Sequence, residues 1–443
     1  MTQSVFFLSL PGLRPVDLKK MENLRALAGK GEQANLIPSF PCVTWPVQAN
    51  MLCGSQPQEH GVVANGFFWR DTLEVEMWTA GNDKIQQPQV WDRLAERGKQ
   101  SAVWFPMLSK GCGAQTVCMP APVHNPDGTE SLWCYTKPEA LYGELLAEHG
   151  HFPLQNFWGP RAGIASSRWI VDSAITAAGR FKPDFFYIYL PHLDYAAQRS
   201  GPDSEDAMTA VVELDNLLGT LFQAMPDVMG KEVLWIVASE YAIVPVNHVS
   251  YPNRILRAAG LLNVYQNEGE WIDFRTSRAW ALVDHQFSHV FLQQPASHTE
   301  CEAVAQLFRG SPGIAEVLVG KERKKYQLDH PRSGEIVLIS EPESWQAYYY
   351  WQEDEKAPSF ARTVDIHQKP GYDPVELFFD PLTKSIPLDA SLVAGSHGAP
   401  AKQPYQQGLF TCSHPGLLEK SGFRNGAIYD YNVCQFILDQ FPN

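Results

Sequence analysis

Long apolar runs are missing from this chain of 443 residues: no stretch approaches the ~20 consecutive hydrophobic residues that a membrane span needs. The N-terminal run VFFLSL is six residues long, has no basic residue before it and no small-residue cleavage site after it, and reads as a buried strand, not a signal peptide. Cysteines never occur as CxxC, and the eight positions (42, 53, 112, 118, 134, 301, 412 and 434) show no zinc-site spacing. Reduced thiols in a cytoplasmic protein are the expectation, with Cys112 and Cys118, in a glycine-containing loop, the candidate bridge. Basic residues are in deficit, 35 against 49 acidic, for a formal charge of −14. That deficit argues against a nucleic-acid groove and an anionic membrane surface, and it makes a phosphate ligand awkward unless a metal ion supplies positive charge. Charged residues are only 19% of the chain and hydrophobic ones 44%, which excludes disorder and suits a large core with an insertion.

Apolar β-prone runs alternate with amphipathic stretches. VFFLSL (5–10) precedes a helical segment from Asp17 to Ala28; SAVWF (101–105), FFYIYL (185–190) and VLWIVAS (233–239) each follow one. This order predicts a doubly wound α/β fold with a mostly parallel sheet and helices on both faces. Working residues in such folds follow the carboxyl ends of strands, here after Leu10, Leu190 and Ala238. Residues 250–360 read as an α+β cap insertion, with ALVDHQFSHVFLQQ, EIVLISEP and WQAYYYW as strands. Residues 1–249 and 361–443 then form the core, with an irregular insertion at about 106–165.

The densest chemistry lies at 38–71. Thr44, between prolines in PCVTWP, opens a small-residue helix that stops at Gly54. A hydroxyl there meets the free N–H groups and dipole of a helix start, which favour an anion, although an N-cap uses the same residue type. The stretch CGSQPQEHGVVAN follows.

These segments resemble the type I phosphodiesterase / nucleotide pyrophosphatase family of the alkaline phosphatase superfamily. The resemblance continues through LPGLRP (10–15), LDYAAQRSGPDS (193–204), SEYAI (239–243), GYDP (371–374) and AGSHG (394–398). It implies an alkaline-phosphatase-like core with a cap, a Thr nucleophile at Thr44, and two zinc ions that brace in-line displacement at phosphorus. Carried over by position, the ligands are Asp194, Gln198 and His397 for one ion, and Thr44, Glu240 and Tyr241 for the other. Pro11, Gln198, Glu240 and Tyr241 depart from the family pattern of Asp, His, Asp and His, which marks a divergent member with altered ligands. This softer oxygen-rich set suits Mg or Mn as well as zinc, as one ion or two.

In VDHQFSHVF, His285 and His289 are four apart and on a strand would share a face, with Asp284 on the other; all three are further ligand candidates. His192 is a candidate to orient Asp194, and His60 reads as structural. For substrate, the candidates are Asn65, Trp45 within an aromatic wall (Phe67, Phe68, Trp69, Trp158), and Lys369 as the phosphate cation, with Arg199 and Arg14 as alternatives. The function expected is metal-dependent hydrolysis of phosphodiester or pyrophosphate bonds in a small phosphorylated metabolite or nucleotide. The alternatives are a phosphonate- or phosphomonoester-acting relative in a biosynthetic pathway, and a catalytically reduced binding protein.

Overall fold

The structure is a computed structural model that describes residues 3–124, 130–423 and 426–441. A nine-stranded sheet runs through it in the order Ala427–Tyr429, Glu32–Ile37, Gly408–Cys412, Val233–Ala238, Ser4–Ser9, Phe185–Tyr189, Ser101–Trp104, Thr116–Pro120, Cys134–Lys137. The central neighbours pair in parallel; Gly408–Cys412 is antiparallel to both its neighbours, and Cys134–Lys137 is an antiparallel edge. Ser4–Ser9 and Val233–Ala238 are buried at every residue, as strands covered on both faces must be. One helix group, Glu22–Ala28, Ile164–Phe181, His192–Ser200 and Glu205–Met229, packs together; a second joins Thr44–Cys53, Val90–Glu96 and Val433–Leu438.

Two sequence expectations are corrected here. The stretch 106–165 is not merely irregular: Thr116–Pro120 and Cys134–Lys137 extend the main sheet, and Leu141–His149 is a helix. Its prolines and glycines mask short β-runs: Thr116–Pro120 pairs with Ser101–Trp104, and Cys134–Lys137 in turn with Thr116–Pro120. Within WQAYYYW, only Ser344–Gln346 forms a strand, parallel to His248–Ser250. Ala347–Trp351 is buried without regular structure: side chains of Asn253, Arg254 and Arg257 take its carbonyls, and its rings pack on one another in place of a ladder. The eight cysteines are free and buried, so Cys112 and Cys118 are not bridged.

Within residues 250–360, expected from sequence as a cap, Ala279–Asp284, Phe287–Leu292, Ile336–Ser340 and Ile314–Val319 form a four-stranded antiparallel sheet in that order. The first two strands meet in a tight turn, His285-Gln286, with His285 at φ 58°. That turn docks on the core: the Gln286 N–H donates to His397 O at 3.0 Å, and the Cys42 N–H to Gly398 O at 3.2 Å alongside. Among the described residues, no helix is long and apolar enough to cross a membrane.

Candidate active site

Three neighbouring parallel strands deliver the site. Ser4–Ser9 ends just before Pro11, Phe185–Tyr189 before the helix bearing Asp194 and Gln198, and Val233–Ala238 before Glu240 and Tyr241. Thr44 is the first residue of helix Thr44–Cys53, which is buried along its whole length and closes at Gly54 in the left-handed conformation (φ 70°). The cap turn and the loop around His397 complete the enclosure, and Thr44 is 5% exposed.

At the centre is a hydrogen-bonded chain. The Thr44 Oγ1 lies 3.0 Å from the Tyr241 hydroxyl, which donates to Asp194 Oδ2 at 2.9 Å. The donor directions follow: Tyr241 gives its hydrogen to the carboxylate and is left to accept from Thr44. Tyr241 stacks on His397 with ring centroids 3.5 Å apart and planes within 5°. His285 lies 3.9 Å from His397 and stacks on Tyr372 at 3.5 Å, so four rings form one column.

The other polar groups of the site are partly bonded and partly without partners. His397 donates through Nδ1 to Cys42 O at 2.8 Å, which leaves Nε2 as a lone pair without a partner. Gln198 Oε1 accepts from the Tyr372 hydroxyl at 2.6 Å. Glu240 Oε1 accepts from Ser9 Oγ at 2.7 Å and Gln48 Nε2 at 2.8 Å, while Oε2 is unpartnered, as is Asp194 Oδ1. Burial pushes Asp194 up to about 7, against the opposing pull of the Tyr241 hydrogen bond and the nearby Gln198 amide. It pushes Glu240 up to about 8 in the same way. Burial also holds His285 and His397 well below the usual imidazole value.

The other sequence candidates fall in different places. The His285/His289 reading is corrected: the two do not share a strand face, because the turn at 285–286 intervenes. His285 enters the ring column and donates to Asp284 Oδ1 at 2.6 Å, whereas His289 donates to Val63 O and accepts from the Gly334 N–H. Asp284 is bound by Asn65, through its N–H at 2.7 Å and Nδ2 at 3.1 Å. Asn65 Oδ1 accepts from the Trp45 N–H at 2.9 Å, so Asn65 ties the helix start to the cap and spends its side chain on that junction. Trp45 is buried against Phe67 and Trp78.

Lys369 is 1% exposed and committed to Asp373 (2.9 Å) and Glu376 (2.6 Å), not free for a phosphate. Arg14 is held by Asp17, Asp203 and Pro202 O. Arg199 lines a cavity of about 190 Å³ with His192 and Tyr195, on a helix face turned away from Asp194 and Gln198. His192 bonds Glu213 instead of Asp194, and His60 bonds Asn50 and the Val62 N–H, a structural role. Sequence reasoning missed Tyr372 and Gln48. Gln48 lies one helical turn from Thr44 on the same face, and Tyr372 stands inside the quoted GYDP, so both had a signal.

A pair of zinc ions needs three or four protein donors each. Pro11 offers no side-chain donor, the Gln198 amide oxygen is taken by Tyr372, and the Tyr241 hydroxyl is taken on both sides. Asp194 Oδ1, His397 Nε2 and Glu240 Oε2 remain. Among the described residues, no three His, Cys, Asp or Glu side chains converge to hold one ion. The donor set therefore does not fit the pair of ions.

Comparison with known proteins agrees with the fold and the motifs. The chain is 23% identical over 266 residues to an uncharacterized pyrophosphatase/phosphodiesterase of Schizosaccharomyces pombe, a match that covers 59% of this chain and 48% of that protein. The chain thus spans about half the length of this curated relative. Among solved structures, phosphonoacetate hydrolase from Sinorhizobium meliloti 1021 in complex with phosphonoacetate superposes with a TM-score of 0.65 at 16% identity, covering 99% of this chain and 96% of that one. Murine ectonucleotide pyrophosphatase/phosphodiesterase 5, an inactive form in complex with AMP, superposes at 0.61 with 13% identity, covering 99% and 94%. At such identities these likenesses show the fold. The sequence pattern of one family matches residues 5–373, most of the chain, and on that match the protein belongs to the type I phosphodiesterase / nucleotide pyrophosphatase family of hydrolases, as a divergent member within the alkaline phosphatase superfamily.

Proposed function

We propose that the protein hydrolyses a phosphodiester in a small metabolite, with Thr44 as nucleophile and Asp194 as the base that takes its proton through Tyr241. The observation that carries this reading is the Thr44–Tyr241–Asp194 chain at the start of a buried helix. As Thr44 Oγ1 bonds to phosphorus, its proton passes to the Tyr241 oxygen and the Tyr241 proton to Asp194. The ester oxygen leaves with the electrons of its bond to phosphorus, and water then cleaves the phospho-threonine ester. A base with its pKa near 7 suits that task at neutral pH.

The family generally uses divalent metal ions, but the donors of this chain do not match the zinc pair, and no step here needs one. With Lys369 and Arg14 committed elsewhere, a singly charged diester is favoured over a pyrophosphate or a dianionic monoester.

A catalytically reduced binding protein is the second reading, favoured by the ring column that fills the site. One assay separates the two. Hydrolysis of a bis-aryl phosphodiester by the wild type, with a loss of about 10³-fold or more in Thr44→Ala, supports catalysis. Equal rates in the two proteins would remove Thr44 from any mechanism.

A further inference from the structure

We propose that the Thr44 site holds no resident metal ion, because the Tyr241 phenol fills the space between Thr44 and Asp194, each of which would have to bind one of the two ions from that side. The hydroxyl is within hydrogen-bond distance of both, 3.0 Å from Thr44 Oγ1 and 2.9 Å from Asp194 Oδ2. An ion at that position would displace the hydroxyl, and the phenol has nowhere to go. Its ring lies flat on His397, and His397 is backed by His285 and then Tyr372. His285 is in turn fastened to Asp284, and Asp284 to Asn65. Moving Tyr241 aside therefore breaks a column anchored in both the core and the cap.

The donors left over do not make a site. Asp194 Oδ1, His397 Nε2 and Glu240 Oε2 are without partners, but among the described residues they do not converge as the three protein ligands that even an open zinc site uses. Gln198 supplies an amide oxygen already bonded to Tyr372, and an amide is a weak zinc donor. Glu240 is bonded by Ser9 and Gln48 on the side of the nucleophile helix. The hydrogen bond from Tyr241 to Asp194 thus does the structural work that an ion would do, tying the nucleophile's neighbour to a carboxylate. This inference concerns metal content, and it stands or falls independently of whether Thr44 reacts.

The full chain is equilibrated with micromolar zinc, desalted, and its zinc measured by mass spectrometry, with a thermal melt on the same samples. His397→Ala and Tyr241→His are carried in parallel. The wild type is expected to retain no stoichiometric zinc and to show no zinc-dependent rise in melting temperature. Tyr241→His sets a second imidazole beside His397 and Asp194, and is expected to gain about one zinc per chain together with a rise in melting temperature. One or more zinc ions per wild-type chain that disappear in His397→Ala would overturn the proposal. Zinc that persists both in His397→Ala and in a further variant, Glu240→Ala, is bound elsewhere and counts in its favour, whereas zinc lost in Glu240→Ala alone would likewise overturn the proposal. Should Tyr241→His fail to fold by circular dichroism, the wild type and His397→Ala decide alone. A zinc-free wild type without diesterase activity would defeat the Thr44 reading and uphold this one. A wild type that holds zinc lost in His397→Ala, and whose diesterase activity falls in Thr44→Ala but survives a chelator, would do the reverse.

Discussion

Tyr241 carries the most weight of any single side chain in the site. It touches the proposed nucleophile, the proposed base and the ring of His397 at once. Tyr241→Phe keeps the stacking and removes only the hydroxyl. It therefore separates packing from proton transfer: Asp194 Oδ2 and Thr44 lose a shared partner in a buried place, at a cost of about 1–3 kcal/mol. The expected outcome is a folded protein whose kcat falls by about 10²-fold or more while KM changes little. In the wild type, kcat/KM should rise with pH through a limb near 7, because the base must be ionised and burial places its pKa there. In Tyr241→Phe that limb should vanish. A pH–rate profile of both proteins checks this, and an unchanged limb in Tyr241→Phe would remove the relay.

The helix Thr44–Cys53 shows how an element places a residue. It is buried throughout, so its position is set by packing on Val433–Leu438 and by its ends. At the far end, Gly54 turns left-handed and gives its N–H to Asn50 O at 2.9 Å. A Cβ there would also meet Cys434 Cβ at 3.2 Å. Gly54→Ala should cost about 1–2 kcal/mol, seen as a lower urea midpoint with an unchanged slope. A midpoint equal to that of the wild type would show that the turn tolerates a side chain. The cap turn is the matching element on the other side. His285→Ala empties the ring column between His397 and Tyr372 and should speed amide hydrogen exchange at Gln286 and Cys42, whose N–H groups bond the His397 loop. Unaltered protection at both amides would mean that backbone bonds alone hold the cap down.

On the scale of the whole molecule, the legible parts were those written locally. The buried strands announced themselves as apolar runs, and the helix start at Thr44 as a hydroxyl between prolines. Less legible was everything decided by distant partners. Lys369 read as a loose cation until the fold set Glu376 and Asp373 against it, and His285 read as a strand residue until Gln286 closed a turn.

The same burial governs how the protein answers pH. His60 is pushed down to about 3 and His289 to about 4, chiefly by burial, and His285 and His397 also lie well below 6.5. Between 6.5 and those values the unfolded chain binds more protons than the folded one. Their contribution is therefore whole above pH 6.5 and is lost as pH falls through the folded values. Asp194 and Glu240 act the other way: raised to about 7 and about 8, they favour the folded state at low pH, and their contribution is lost as pH rises through those values. Below 6.5, six imidazoles held down chiefly by burial (His60, His192, His285, His289, His330, His397) outnumber five carboxyls held up by it (Asp194, Glu240, Asp284, Glu376, Asp430); toward pH 8 the raised carboxyls of Asp194 and Glu240 dominate. Thermal stability should therefore peak at about pH 6–7 and decline on both sides. The double variant Asp194→Asn, Glu240→Gln should flatten the decline toward pH 8 and leave the acid side in place. Melting temperatures from pH 4.5 to 8.5 in constant salt measure this, and a wild type that grows steadily more stable from pH 6.5 to 8 would contradict the buried, neutral site described here.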